Sequence, residues 1–283
     1  MDVPEILISA SVPLASIDSI IWSHHHPDHT GDPSLFPPTT SLVVGPGFKS
    51  NPSTYPGFPI NVDSHVHQSA FEGRDLIELD FSANSVLKVG GLRAIDWFDD
   101  GSLYLLEAPG RSPEHIMALA RTSADKFVLL AGGAADHYGV FRPSPLTPLP
   151  SAFSLSPLEP LTSASSFPIS LLEHVHPSAH SSSFRTTPFY EPTQFRMPDS
   201  AAGRATLAAL QAFDASKDVW VVLGHDTSFR DSGILFPAAN LARWEETAGE
   251  DASTGRNSRK DVAHWRFLSD FRKAVEERQG ATV

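Results

Sequence analysis

Residue types that commonly bind metal ions are concentrated near the start of the sequence. His24, His26, Asp28 and His29 fall within six residues, directly after an apolar, β-branched run that predicts a strand. Imidazole and carboxylate are ligands that suit zinc, iron or manganese. Alternate residues at a strand end can converge on one point, so His24 and His26 could bind one ion. Asp28 and His29, turned the other way by the loop, could bind a second ion beside it.

The alternative interpretation of this segment is a polar loop in which the histidines occur by chance. Three histidines and an aspartate, placed where a strand gives way to a loop, are hard to explain by packing. The chain has no cysteine, so disulfides and thiolate ligands are both excluded. A bound metal must therefore use His, Asp, Glu or water, and the segment supplies the first two types.

Composition limits the class of protein and its partners. The 283 residues are 41% hydrophobic, which suits a globular core. The formal net charge of −12 argues against a nucleic-acid partner, because an acidic protein repels phosphate backbones. The longest apolar runs are far shorter than the roughly 20 residues that a membrane span needs. The first residues also lack a signal peptide's basic and apolar regions. We expect a cytoplasmic protein with a small-molecule substrate and no membrane or nucleic-acid partner.

Hydrophobic periodicity and turn signals predict an α/β chain. From about residue 142 to 200, serine, proline and threonine dominate without a persistent period. We expect a loop insertion there, packed on a single domain that covers residues 1–283. The predicted strands are 17–22, 41–44, 86–98, 102–107, 126–131 and 219–223, and the predicted helices are 112–121, 200–214 and 260–277.

The first histidine segment carries a resemblance to a known family. His24-x-His26-x-Asp28-His29, followed by Thr30-Gly31, matches the HxHxDH signature of the metallo-β-lactamase superfamily. The segment from Glu107 to His115 resembles the family's His-Thr-Pro-Gly-His segment. Further segments that look like fungal metallo-β-lactamase-fold hydrolases are 131–144, 186–192, 221–226 and 265–268. The resemblance implies an αββα sandwich with metal ligands on loops along one edge of the paired sheets.

The resemblance also implies which residues bind metal. The first ion would be held by His24, His26 and a third residue from the Pro-Gly segment, where this chain has Glu107. Two histidines and one carboxylate form a set that suits zinc, iron or manganese. Asp28 would both bind metal and orient the nucleophile, as the catalytic residue. The ligands implied for the second ion are Asp28, His29 and His225.

One position departs from the family pattern in a way that affects both ions. The aspartate that normally bridges them falls at Gly133, which has no side chain to offer. Asp136, three residues on, is a candidate substitute if the loop shifts. His137 and Asp226 are candidates to orient a ligand from behind. We expect one or two Zn²⁺ ions, with Mn²⁺ or Fe²⁺ as alternatives.

The segment before the signature is short. Only 23 residues precede His24, whereas family members usually begin with several strands and a helix before this motif. Three alternatives are open: a sheet that lacks the usual N-terminal strands, a truncated chain, or a second chain that completes the fold. An uncovered sheet face or edge favours association, which makes a homodimer one expectation.

Several other residues have competing interpretations. The pairs His65/His67 and His174/His176 have chelating spacing, but they lie in loops rich in proline and serine. Exposure or loop packing is the simpler interpretation, and substrate contact is the alternative. Arg142 could bind a carboxylate or hold a strand end, and we favour the structural role.

Two functional hypotheses follow. The first is a metal-dependent hydrolase that cleaves an ester, thioester or lactone through a metal-bound hydroxide. By resemblance alone, its substrate would belong to secondary metabolism. The second is a repurposed or inactive relative, because the positions of Glu107 and Gly133 have changed. Such a protein would bind a small molecule, or would run a non-hydrolytic lyase or cyclase step.

Overall fold

A computed structural model describes residues 2–83, 86–153, 167–179, 181–193, 200–226, 236–237, 244 and 259–280. The N-terminal part forms a small parallel sheet. Helix α1 (Val3–Ser9) starts at a capping box between Asp2 and Glu5. Strands β1 (Ser19–Ile21), β2 (Ser41–Val44) and β3 (Leu76–Glu78) then pair in that order. Between β1 and β2 lies the short helix α2 (Pro27–Thr30), which starts with proline and carries Asp28 and His29.

The next five strands form an antiparallel meander. They are β4 (Leu87–Val89), β5 (Leu92–Asp96), β6 (Leu103–Glu107), β7 (Ile116–Arg121) and β8 (Phe127–Leu130). The predicted strand 86–98 is two strands, because Gly90 and Gly91 adopt φ values of +59° and +85° in the turn between them. A turn at 99–101, where Asp99 and Gly101 adopt positive φ, joins β5 and β6.

The helix predicted over 112–121 is wrong. Most of that segment is β7, which lies between β6 and β8. The capping hydroxyl and the proline at 112–113 are genuine helix-start signals, but they are local. Pairing on both sides and burial of Ile116, Met117 and Leu119 outweigh them.

The Pro/Ser-rich region has short regular elements in its described parts. These are β9 (Ala152–Phe153), paired with β10 (Phe167–Pro168), and helix α3 (Ser170–Glu173). Residues 154–166, 180 and 194–199 of the predicted insertion lie outside the described part of the chain.

The C-terminal part completes the larger sheet and covers it. Helix α4 (Ser200–Ala215) leads to β11 (Val219–Val222), which pairs in parallel with β8. Helix α5 (Arg259–His264), a 3-10 turn (Arg266–Phe271) and helix α6 (Arg272–Gly280) follow. The predicted helix 260–277 is therefore interrupted at Trp265, where the backbone leaves helical geometry. No helix within the described ranges is long and apolar enough to cross a membrane.

The two sheets face each other, with apolar layers on both sides. Val43 of the small sheet packs with Leu105 and Ile116 of the large sheet. The outer face of the large sheet packs against α4 and the C-terminal helices through a cluster that includes Leu129, Val221, Leu210, Phe213 and Phe271. The outer face of the small sheet is covered by residues 48–71, which include the 3-10 turn Gln68–Ala70. The expected α/β sandwich of two facing sheets is confirmed.

A buried ion pair ties the start of the Pro/Ser-rich region to the C-terminal helices. Arg142 and Asp214 are each 2% exposed. The guanidinium donates two hydrogen bonds to the carboxylate, at 2.9 and 2.6 Å, and lies 3.9 Å from the centre of the Tyr138 ring. It also donates to the carbonyl oxygen of His264. Arg142 thus has the structural role that we favoured.

Removing one partner of this pair should destabilise the fold strongly. In Asp214→Asn the guanidinium would remain buried without its counter-charge, which typically costs about 3–5 kcal/mol. We expect a corresponding drop in the free energy of unfolding in a urea titration. Lys273→Ala is the control, because Lys273 forms an exposed pair with Glu277 on α6 and should leave that energy unchanged. Equal effects of the two variants would contradict the structural role.

Stability should also fall with acid in a defined range. Burial, reinforced by the charge of Arg142, lowers the pKa of His264 from 6.5 to about 3. Between these two values the unfolded chain binds a proton that the folded chain excludes, so stability rises with pH across that range. We expect the free energy of unfolding to decrease as the pH falls from about 6.5 towards 3. His264→Gln should make this decrease shallower, and an unchanged slope would contradict the assignment.

Candidate metal centre

The candidate site lies at one edge of the sandwich, where several loops meet. His24 and His26 follow β1, and α2 adds Asp28 and His29. Residue 115 immediately precedes β7, Gly133 follows β8, and His225 follows β11. Because β11 and β8 are parallel neighbours, their carboxyl ends leave the sheet side by side. The backbone fixes this contact, since the Gly224 N–H donates to the carbonyl of Gly132 at 2.8 Å.

His24 lies at the centre of a group of imidazoles. Its side chain is almost fully buried at 1% exposure. The ring centre lies 4.5 Å from that of His26, 4.4 Å from that of His29 and 5.0 Å from that of His115. The Nε2 atom of His24 is 2.9 Å from Nδ1 of His26. The structure therefore brings together the histidines of the signature.

Asp28, His29 and His225 form the tightest set of ligand atoms. One ligand atom from each lies within 4.8 Å of the other two. Among the described residues, this is the only set of three histidine or carboxylate side chains with that spacing. The Oδ2 atom of Asp28 is 3.4 Å from Nε2 of both histidines. Since zinc ligands lie about 2 Å from the ion, donors at this spacing fit a single divalent cation. Two imidazoles and one carboxylate also fit by type.

The protonation states favour cation binding. Burial and the surrounding imidazoles hold the pKa of His24 far below its ordinary value. Burial lowers the pKa of His115 to about 3, and burial also lowers the pKa values of His26 and His29. Partial burial acts to raise the pKa of Asp28, but a backbone hydrogen bond and the nearby His29 and His225 lower it overall. Near neutral pH the site therefore presents neutral rings at His24, His26, His29 and His115 and an ionised carboxylate at Asp28.

Two glycines leave room for the imidazole rings. A Cβ atom at Gly133 would lie 2.6 Å from Cε1 of His24, and one at Gly224 would lie 2.6 Å from Cε1 of His29. Neither position tolerates a side chain while the rings keep these positions. The family resemblance implies a bridging aspartate at position 133. In this chain the ring of His24 fills the space that such a side chain would take.

The expected role of Glu107 is corrected by the structure. Its carboxylate forms an ion pair with both the Nε and an Nη atom of Arg93. The β5–β6 register, which pairs Ala94 with Leu106, brings Arg93 next to Glu107. From this segment it is His115 that lies beside His24, and our sequence reasoning missed it. Its position immediately before a strand, at the end of the Pro-Gly segment, was the available signal.

Arg111, from the same segment, is a second residue of the site for which the sequence predicted no role. Its side chain is 11% exposed and its guanidinium lies 3.6 Å from the carboxylate of Asp136. Its positive charge contributes to the lowered pKa values of the four imidazoles at 24, 26, 29 and 115. Asp136, the candidate substitute for the bridging aspartate, thus faces a cation and is absent from the ligand set.

Behind the cluster, His25 and Glu114 form a buried pair. The Nδ1 atom of His25 contacts the Glu114 carboxylate, and both side chains are largely shielded from solvent. The ring of His25 lies 5.0 Å from that of His26 and stacks at 6.1 Å on His65. The pair fixes the backbone between the two signature histidines, and the sequence held no signal that would join residues 25 and 114.

The loop that carries His225 is held by Tyr138. The buried tyrosine hydroxyl contacts the carboxylate of Asp226 and donates to the carbonyl of Val221 at 3.1 Å. Asp226 was a candidate to orient a ligand, and it is anchored directly after His225. His137, the other candidate, instead bonds Asp270 at 3.0 Å and caps a turn at Gly139.

An open cleft of about 530 Å³ borders the cluster. His225, Gly133 and Asp136 line one side, and Tyr190 and Glu191 line the other. The cleft is therefore formed partly by the end of the Pro/Ser-rich region.

The two other histidine pairs lie outside this cluster. His67 is exposed and caps the turn Gln68–Ala70. His176 is buried and bonds the carbonyl of Thr187 at 2.8 Å. His174 is exposed. The simpler interpretation, exposure or loop packing, therefore fits these three.

Comparison with known proteins gives relatives along most of the chain. A gamma-lactamase of Gibberella moniliformis is 47% identical over 194 residues, which are 68% of this chain and 78% of the relative. A gamma-lactamase of Fusarium pseudograminearum is 39% identical over 98% of this chain, and a metallo-hydrolase of Annulohypoxylon moriforme is 39% identical over 92%. This chain spans 63% of the length of each of these two.

Other comparisons are weaker. A solved structure of a quorum-quenching N-acyl homoserine lactone lactonase is 16% identical, with a TM-score of 0.48, over 83% of this chain and 68% of its own. No family profile matches the sequence. The signature at His24 to His29, the two facing sheets and the fungal relatives agree, and the chain belongs to the metallo-β-lactamase superfamily, alongside fungal gamma-lactamases and metallo-hydrolases.

Proposed function

We propose that this chain is a metal-dependent hydrolase that opens a small cyclic ester or amide. The observation that carries the proposal is the convergence of Asp28, His29 and His225 beside the open cleft. These residues would hold the ion, with zinc as the first choice and manganese or iron as alternatives. A bound ion of this kind supplies a Lewis acid and lowers the pKa of water to about 7.

The chain's own residues prepare the site for this chemistry. Burial lowers the pKa of His29, so its ring is neutral near pH 7 and a lone pair is available for binding. Asp28 is exposed and ionised, at equal distances of 3.4 Å from His29 and His225. It would bind the ion and orient the attacking water towards a carbonyl carbon in the cleft. Asp226, anchored by Tyr138, would keep His225 in place.

The substrate class follows from the cleft and from the relatives. A cleft of about 530 Å³ accommodates a small molecule. Two relatives are gamma-lactamases, which supports a cyclic amide or its ester analogue as substrate. Thioesters stay within the proposal because the same attack on a carbonyl applies. A role in secondary metabolism, a cytoplasmic location and a homodimer stay predictions.

A small-molecule binding protein, or one that runs a lyase or cyclase step, is the second candidate. The observation that favours it is Gly133, which removes the carboxylate that would neutralise two adjacent cations. Stoichiometric metal with turnover of a lactone or lactam supports the hydrolase, whereas metal-free protein that binds such compounds without turnover supports the second candidate.

Removal of the metal or of one ligand should abolish hydrolysis. We expect dialysis against a chelator to eliminate turnover of γ-lactone and γ-lactam probes, and added Zn²⁺ to restore it. His225→Ala removes one of the three donors. It should lower the zinc content per chain, and it should lower kcat/KM by at least about 100-fold. Zinc content is measured by elemental analysis and turnover by chromatography.

His67→Ala is the matched control for His225→Ala. His67 is also an exposed histidine at the end of a loop, but it caps the turn Gln68–Ala70. This variant should keep both zinc content and turnover. Chelator-resistant turnover, or equal losses in the two variants, would refute the proposed metal site.

The anchor of the His225 loop gives a second test. Tyr138→Phe removes the hydroxyl that contacts Asp226, so His225 should become less well positioned. We expect zinc affinity to fall by about 10-fold, the usual effect of losing a group that orients a ligand. The measurement is competition with a chelating dye. Tyr55→Phe, an exposed tyrosine over the small sheet, should leave affinity unchanged. Equal affinity of Tyr138→Phe and the unchanged protein would contradict the anchoring role.

A further inference from the structure

We propose that Arg111 supplies the second positive charge of this site, so that the site holds a single divalent ion, bound by Asp28, His29 and His225. The inference rests on the proposed function, because it concerns the same site and the same substrate. It assigns a role to a residue that is not itself a metal ligand, and it fixes the metal stoichiometry at one per chain.

Four of the six ring nitrogens of His24, His26 and His115 contact other protein atoms. Nε2 of His24 is 2.9 Å from Nδ1 of His26, and Nδ1 of His24 is 3.1 Å from the hydroxyl of Ser23. Nε2 of His115 accepts a hydrogen bond from the Gly133 N–H at 3.1 Å. These contacts involve both nitrogens of His24, Nδ1 of His26 and Nε2 of His115, while Nδ1 of His115 is buried without a hydrogen-bond partner. The three rings therefore pack mainly against the protein and do not present a second open set of donors.

The site also lacks a shared anion for two cations. Gly133 has no side chain, and the ring of His24 fills the space into which one would point. Asp136 is the nearest carboxylate on this loop, and it faces the guanidinium of Arg111 at 3.6 Å. Two divalent ions held side by side in one site repel each other strongly unless an anion lies between them.

Arg111 places a fixed positive charge beside the cleft. Its guanidinium is mostly buried and faces Asp136, which lines the cleft together with His225 and Gly133. An arginine keeps its charge at any working pH. This fixed charge opposes a second metal ion on the His24 side. In the proposal, the same charge, held beside the cleft-lining Asp136, would stabilise negative charge that develops on a substrate carbonyl oxygen.

The experiment compares zinc binding in the intact chain and in two variants of Arg111. Zinc-saturated protein is freed of excess metal and its zinc content per chain is measured. Affinity is then measured by competition with a chelating dye. We expect one zinc per chain in the unchanged protein. Arg111→Gln removes the repelling charge and should bind zinc about fivefold more tightly or better, while kcat/KM on the lactone or lactam probe falls about 100-fold.

Arg111→Lys keeps the charge and should retain zinc affinity within about twofold. Arg93→Gln is the matched control, because Arg93 also pairs with a carboxylate, Glu107, on the sheet. It should change neither zinc affinity nor turnover.

The outcomes separate this inference from the proposed function. Two zinc ions per chain, or unchanged zinc affinity and turnover in Arg111→Gln, would overturn the role of Arg111 and leave a metal-dependent hydrolase standing. No bound zinc in the unchanged protein would overturn both. One zinc per chain, with tighter binding and slower turnover in Arg111→Gln alone, supports the inference.

Discussion

The architecture of the site depends on close packing of imidazole rings that must stay uncharged. His24 lies within 5.0 Å, centre to centre, of the rings of three other histidines, and it is almost fully buried. A positive charge on any of these rings would be opposed both by burial and by the neighbouring rings. The lowered pKa of each ring expresses this constraint, and lone pairs are left available at the edge where Asp28, His29 and His225 meet.

The surrounding framework keeps these rings in place with little spare space. Glycines at 133 and 224 admit the rings of His24 and His29, where any Cβ atom would collide with them. The buried pairs His25–Glu114 and Tyr138–Asp226 fix the two loops from behind. In our proposal the same packing limits the site to one divalent ion, because the ring of His24 fills the space into which a side chain at position 133 would point. One divalent ion with a nearby guanidinium is therefore the arrangement that the contacts favour.

Much of the fold could be predicted from the sequence because its strands are short apolar runs bounded by turn residues. The predicted strands 41–44 and 219–223 are examples, and the long helix near 200–214 follows from its helical period. The prediction of a helix over 112–121 was wrong, and the reason is physical. The cap and proline of this segment favour a helix locally, but the chain pairs it between β6 and β8, and burial on both sides outweighs local preference.

What the sequence by itself determined is the compact segment from His24 to His29, since a strand end and a one-turn helix set the spacing of its side chains. The family resemblance also indicated His225, which lies three residues after the end of β11. Only the tertiary structure decided the partners from the middle of the chain. The β5–β6 register places Glu107 beside Arg93, with which it forms an ion pair. The loop before β7 brings Arg111 next to Asp136 and His115 next to His24. Strand register and long-range packing join residues far apart in sequence, and no local pattern encodes which of several polar residues in one loop will face inwards.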